Sequence, residues 1–184
     1  MKRKSLLFAL SLLMLACGGN SYYDEETGEP KWVVRGSGAF EEDGKKIFYG
    51  VGMVSGIGNR ALARTTAENR GRAELGKIFR TYSASLMKDY MASTTAGDMT
   101  ASAEEQHVDQ AIKTFSKITL SGVMVVDHWV DPADGTHFAL TRLDLAEFGN
   151  ALNTVKELDA KTRDFVRRNA EKAFDKLTSE ENRH

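Results

Sequence analysis

The chain of 184 residues contains one cysteine and two prolines, and it carries almost no net charge, with 25 Lys and Arg against 26 Asp and Glu. Each shortage excludes something. A single cysteine forbids an internal disulfide, so packing has to hold the fold. Near neutrality removes the bulk attraction to a polyanion on which a nucleic-acid-binding surface depends. The charge-free apolar run Ser5 to Leu15 falls well short of the roughly twenty residues that a helix needs to cross a bilayer. There is also no Gly-x-Ser-x-Gly and no Gly-Lys-Ser/Thr, the signatures of a serine nucleophile elbow and of a phosphate loop. What remains, 41% hydrophobic and 28% charged residues, is an ordinary globular composition with enough length to bury a sizeable core.

The N-terminus is the most informative stretch. Met1-Lys2-Arg3-Lys4 is basic, the apolar run follows, and Leu13-Met14-Leu15-Ala16-Cys17 closes it ahead of Gly18-Gly19-Asn20. A basic start, a short apolar segment and a small residue before the cut describe a secretory signal peptide. The ending resembles a bacterial lipobox, departing from it at Met14, where a branched aliphatic residue is commoner. The resemblance implies signal cleavage after Ala16 and lipid attachment at Cys17, and it accounts for the one thiol. With about 0.8 kcal/mol for each buried methylene, a multiply acylated Cys17 would be held on a membrane essentially permanently. Gly18 in place of Asp implies, by the same resemblance, the outer rather than the inner membrane. Loss of residues 1–16 leaves 184 less 16, or 168 residues, and removes Lys2, Arg3 and Lys4, so 22 basic face 26 acidic residues and the mature chain is at -4.

Residues 17–30 read as the acylated cysteine and a flexible tether. Gly18 to Pro30 holds Asp24, Glu25, Glu26 and Glu29 and no aliphatic side chain, and it would span at most about 45 Å. Residues 31–145 read as an α+β domain. Trp32 to Phe40 and Lys45 to Met53 flank Glu41-Glu42-Asp43-Gly44 and predict a β-hairpin. Asn59 then predicts the N-cap of a long helix, with Leu62, Ala67, Ala73 or Leu75, Ile78, Tyr82, Leu86 and Tyr90 on its apolar face and with Gly71 and Gly76 pressed onto the sheet. After a break over Ser93 to Thr100, the capping box Ser102 to Glu105 opens a helix carrying Val108, Ala111, Ile112 and Phe115. Ile118 to Val130 and Thr136 to Leu143, around Asp131-Pro132-Ala133-Asp134-Gly135, predict a second hairpin. Asp144 to Glu147 starts a helix that keeps its period through Phe148, Leu152, Val155, Leu158, Phe165, Ala170, Ala173 and Leu177, so residues 146–184 read as a C-terminal helical extension.

No constellation in this pattern performs chemistry. Gly50 and Gly52, with Gly56 and Gly58 ahead of a helix, lack the spacing that converges backbone N–H groups on a phosphate, and strand-end and turn glycines explain them. Glu104 and His107 form one Glu-x-x-His where a di-iron bundle requires two, and His128, His137 and His184 stand at no ligand spacing to it. No metal, cofactor or catalytic residue is therefore expected, and the protein is expected not to be an enzyme. Arg60, Arg64, Arg70, Arg72, Lys77 and Arg80 concentrate positive charge on the first long helix, either as a solvated face or as a stripe for lipid phosphates or an acidic partner.

The lipobox, the acidic tether, Trp32-Val33-Val34, Tyr49-Gly50-Val51-Gly52 and the helix Ala61 to Gly76, rich in Ala, Arg and Glu, together resemble the LPP-twenty family of small bacterial outer-membrane lipoproteins. That family shares its domain with a flagellar lipoprotein and with the N-terminal part of a flagellar assembly protein. The likeness runs over about Lys31 to Leu143, and Gly71 and Gly76 stand where the family usually has Ala. It implies a small antiparallel sheet of two hairpins against a long helix, and envelope or flagellar-motor scaffolding without catalytic residues. The expectation is a lipid-anchored, periplasm-facing outer-membrane protein that assembles with itself or with envelope or flagellar partners and binds no nucleic acid. A monomeric module that binds a small ligand or peptidoglycan is the competing expectation. The long apolar period of the C-terminal helix favours assembly, because it exceeds what a small sheet can cover. Cys17→Ala is expected to abolish fatty-acid labelling and to move the protein from the membrane to the soluble fraction, as read by metabolic labelling and flotation.

Overall fold

A computed structural model describes residues 22–94, 101–152 and 158–181. In chain order the elements are α1 (Lys31–Arg35), β1 (Gly38–Glu42), β2 (Lys45–Val54), α2 (Arg60–Thr94), α3 (Ala101–Gly122), β3 (Met124–Val130), β4 (His137–Asp144), α4 (Leu145–Leu152) and α5 (Ala160–Glu181). The strands form one antiparallel sheet in the order β1-β2-β4-β3, so the fold is α+β. Each hairpin closes as the turn residues predict. Asp43 and Gly44 both take positive φ (50° and 72°), the type I′ requirement, and Glu41 and Glu42 belong to the strand, opposite Lys46 and Lys45. In the second turn Asp131 Oδ1 accepts from the amide of Ala133 (2.7 Å), and Gly135 supplies the positive φ of 75°. The two hairpins join through β2 and β4, paired from Ile47↔Asp144 to Val54↔His137.

Trp32-Val33-Val34 is not a strand. Lys31–Arg35 is one helical turn, started by Pro30, whose carbonyl accepts from Val33 N at 2.8 Å, and stopped by Gly36 at φ 76°. A proline before and a positive-φ glycine after outweigh the β preference of three residues between them.

Helix α2 begins where Asn59 predicts, its Oδ1 accepting from Leu62 N at 3.1 Å. Its inward face, however, is Ala63, Ala67, Gly71, Leu75, Phe79, Tyr82 and Leu86, whereas Leu62 is 56% exposed. This face is graded by size. Small residues lie where the helix crosses the sheet, and large ones lie beyond it, over the part that α3 and α5 cover. Opposite the small residues stand Gly50 and Gly52. A Cβ on Gly50 would overlap the carbonyl oxygen of Gly71, and one on Gly52 the carbonyl of Ala67 and the amide of Gly71. On Gly71 it would lie 3.0 Å from Thr141 Cγ2 and 3.2 Å from Gly50 O. Gly76, expected to press on the sheet as well, faces open space.

Phe48, fully buried on the α2 face of β2, gathers the main core: the rings of Phe79, Tyr82 and Phe174 lie 5.4, 5.1 and 5.1 Å away. Phe148 of α4 extends the cluster, 4.7 Å from Phe79 and 5.7 Å from Phe115 of α3. Burying a ring of this size contributes about 1.5–3 kcal/mol, and each edge-on pair adds about 0.5–1.5. Burial also pushes the Tyr82 phenol well above its ordinary pKa, and its hydroxyl donates to Ala170 O at 3.0 Å.

Three expectations change here. Helix α3 continues through Ile118 to Gly122, where a strand was expected, because Phe115 and Thr119 bury one turn apart and Thr114, Ser116 and Thr119 donate their hydroxyls to carbonyls four residues back. The expected C-terminal helix is two helices, α4 capped by Asp144 (Ala146 N to Oδ1, 2.9 Å) and α5 restarted by Asp159 (Thr162 N to Oδ1, 2.9 Å); Val155 lies outside the described residues. Its apolar stripe also needs no outside partner. Val166, Ala173 and Phe174 of α5 join the main core, so the C-terminal residues complete the domain rather than extend from it.

The approach of α2 to β2 makes a sharp contrast between two glycines. Gly52→Ala is expected to cost about 3 kcal/mol or more, because the added methyl meets backbone that cannot turn aside. Gly76→Ala is expected to stabilise by up to about 1 kcal/mol, since it removes a flexible residue from a helix interior into open space. Chemical denaturation of the two variants reads both signs.

Candidate functional site

Ala16 and Cys17, the expected cleavage and lipid-attachment residues, lie outside the described residues. Residues 22–30, expected as part of a tether, are packed against the domain. They form a closed loop. Asp24 Oδ1 accepts the amides of Glu26 and Thr27 at 3.0 Å, Asp24 N reaches Glu29 O at 2.8 Å, and Tyr23 bridges to Pro30. These backbone donors, Thr27 before Glu26, hold the Asp24 carboxyl below its ordinary pKa.

This loop and α1 lie as a strap on the sheet face opposite α2. The register places Tyr49, Val51 and Met53 of β2, Phe138 and Leu140 of β4, and Asp127 and Trp129 of β3 on that face. Trp32 enters it against Ile47, Tyr49 and Leu140, with Val33, Phe40, Val51, Trp129 and Phe138 around them. Two polar locks hold the strap. In the first, the Tyr22 hydroxyl donates to Asp127 Oδ2, and Trp32 Nε1–H is shared between that oxygen (2.9 Å) and the Tyr22 hydroxyl oxygen (3.0 Å). Burial and the bond to Asp127 both raise the Tyr22 pKa. In the second, Arg35 pairs with Glu42 while lying 4.1 Å above the ring of Phe40, and Tyr49 donates its hydroxyl to the same carboxylate at 2.7 Å. Burial, followed by the Glu42 bond, pushes the Tyr49 phenol up to about 12. For Glu42 itself burial acts upward, but the Arg35 and Tyr49 bonds outweigh it and hold the carboxyl low.

The basic residues of α2 do not form one free stripe. Glu68 takes Arg64 (3.1 Å), Arg72 (3.9 Å) and His128 Nε2 (2.8 Å); Lys77 pairs with Glu74 (2.7 Å); Arg70 donates to Met53 O (2.8 Å). Surface pairs of this kind contribute a few tenths of a kcal/mol each, so this is a solvated face on which Glu68 and Glu74 offset part of the positive charge. His107 meets Thr162 Oγ1 (2.9 Å) and Asp159 Oδ2 (3.1 Å) and joins α3 to the start of α5. Among the described residues no group of three His, Cys, Asp or Glu side chains could hold a metal ion; the Glu104 side chain and His184 lie outside them. Gly50 and Gly52 serve the helix approach, and Gly56 and Gly58 border no crowded atoms.

An open cleft of about 490 Å³ lies between the first hairpin turn and α4 and α5, with Lys45, Lys46, Asn150, Arg167 and Glu171 on its walls. Sequence reading missed both it and the strap. The cleft joins residues more than a hundred positions apart, and the strap depends on Asp127, a single acidic residue within a β-rich run.

The second lock is pH-dependent with a definite sign. A carboxyl held below its unfolded pKa of about 4.3 contributes fully at neutral pH, and the contribution fades as pH falls through the folded value. Amide protection in α1, measured by hydrogen exchange, is therefore expected to be flat from neutral pH to about 5 and to fall below it, with Glu42→Gln starting lower and lacking that acid limb. No protein-family model matches this chain, and no curated protein matches it either.

Proposed function

We propose that this protein is a lipid-anchored outer-membrane lipoprotein of LPP-twenty type, facing the periplasm, whose domain acts in the cell envelope by assembly rather than catalysis. The lipobox ending in Cys17 supports the anchor. The flagellar proteins within the resemblance make a motor one machine that such a domain would serve.

The observation that carries assembly is the outer edge of β3. The strand ends the sheet order, and Met124, Val126 and Val130 on it are 49, 45 and 40% exposed. A sheet edge that carries exposed apolar side chains is a template for a strand from another chain. It takes over the support that the C-terminal helix loses by packing inside its own core. The bulge between Val125 and Asp127 interrupts the inner register, and Asp127 Oδ1 accepts from the amide of His128 (2.8 Å), so the edge is open along only part of its length.

A binding module is the second reading, favoured by the open cleft whose walls mix Lys45, Lys46 and Arg167 with Asp144 and Glu171, a lining that suits a small polar ligand. The two readings separate in solution. The lipidated protein in detergent is expected to self-associate with rising concentration, and Val126→Lys to return it to monomer, as measured by light scattering after size-exclusion chromatography. A strictly monomeric wild type would leave the binding module as the better account.

A further inference from the structure

The strap leaves part of its sheet face uncovered, and the uncovered part is apolar. Met53 on β2, Phe138 on β4 and Trp129 on β3 are register partners in one row across three strands, with the Trp129 and Phe138 rings 5.3 Å apart. Met53 is 60% exposed, and the two aromatic residues are half-buried. The strap on the same sheet face carries Tyr22 and Tyr23, their rings 4.9 Å apart, and Val34 on α1, all about half exposed. The strap also carries a cation, Lys31, exposed on α1.

The chain outside the described residues says which side of the domain this is. Tyr22 is locked to Asp127 on the sheet, and it stands five positions after Cys17. Five residues reach at most about 18 Å, so a domain whose Cys17 carries acyl chains cannot move its strapped face far from the lipid. The tether that would have let the domain stand away or turn over is largely consumed by the strap. Tyr and Trp are the side chains that settle at a membrane–water boundary, with an apolar ring and a polar end, and Met adapts to irregular apolar surroundings.

We infer that the strapped sheet face lies against the lipid surface holding the Cys17 acyl chains, with Tyr22, Tyr23, Val34 and Met53 in the headgroup region and Lys31 toward lipid phosphates. The inference rests on lipidation of Cys17, and it adds an orientation that lipidation alone does not require. It leaves the β3 edge and the α5 side of the domain directed along and away from the membrane, open to partners.

The test uses the full lipidated chain in vesicles of phosphatidylethanolamine and phosphatidylglycerol. With Cys17 acylated, Val34→Cys, Met53→Cys and the control Lys172→Cys on exposed α5 each add the single thiol for a nitroxide label. All three positions are at the surface, and an unchanged far-UV circular dichroism spectrum verifies the fold. Labels at 34 and 53 are expected to lose access to a water-soluble relaxant and gain access to oxygen in vesicles, while the label at 172 stays water-accessible. Intact mass of the same sample reads the lipid on Cys17. If the lipid is present and the labels at 34 and 53 remain as water-accessible as the one at 172, the orientation is wrong and the anchor stands. If the lipid is absent, the anchor and the orientation fall together. Protection at 34 and 53 that follows protein concentration in detergent, without vesicles, would assign the face to a second copy and overturn the inference.

Discussion

The architecture depends on how closely α2 approaches β2. Gly50 and Gly52 on the strand meet Ala67 and Gly71 on the helix with no room for a side chain between them, and Thr141 of the neighbouring strand completes the seat by donating its hydroxyl to Gly50 O at 2.8 Å. Backbone-to-backbone packing of this kind sets the height and position of a 35-residue helix over a four-stranded sheet. Once α2 is set, its second half forms an apolar ridge that begins over Phe48 of the sheet with Phe79 and Tyr82. Helices α3, α4 and α5 gather around that ridge. Dense interiors tolerate little change in spacing, so the whole helical layer inherits its geometry from two glycines and their partners.

The aromatic cluster follows from the same constraint. Phe48 lies two residues from Gly50 on the same strand face, where the separation of helix and sheet opens from glycine contact to the width of a ring. Phe174 reaches this space from α5 and Phe148 from α4, which brings residues from both ends of the chain into one core. The C-terminal helices therefore spend their apolar stripes internally, and any surface available to a partner has to be found elsewhere. Among the described residues the large apolar side chains at the surface, Leu62 of α2 apart, lie at the edge of β3 and on the incompletely covered second face of the sheet with its strap.

The second face is organised by polar locks rather than by a wide apolar layer. A five-residue helix buries too little to hold itself, so Asp127, Tyr22, Trp32, Arg35, Glu42 and Tyr49 supply directional bonds at both of its ends. Hydrogen bonds to a charged carboxylate at a partly dried site are worth more than neutral ones in water, which lets a short segment keep one position. The consequence for function is geometric. The locks fix Tyr22 to the sheet five positions after Cys17, which limits how far the domain can move from that residue.

Much of this was legible in the residues before any fold was known. Turn chemistry at Asp43-Gly44 and Asp131 to Gly135 determined both hairpins, Asn59 and Asp144 determined helix starts, and the run ending in Ala16-Cys17 carried the expectation of lipid attachment, because each acts through neighbours in the chain. Tertiary structure alone decided that Ala63, Ala67 and Gly71 form the inward face of α2, since small side chains leave no hydrophobic signature and matter only opposite Gly50 and Gly52. It also decided that Ile118 to Gly122 is helical, where the burial of Thr119 outweighs β preference, and that Leu145 to Glu181 closes the domain. The ordering of residues 22–30 belongs with these, because Asp127, 105 positions from Tyr22, receives its hydroxyl. Local rules carry as far as the chain's own neighbours reach, and the rest was set by which surfaces could approach closely enough to exclude water.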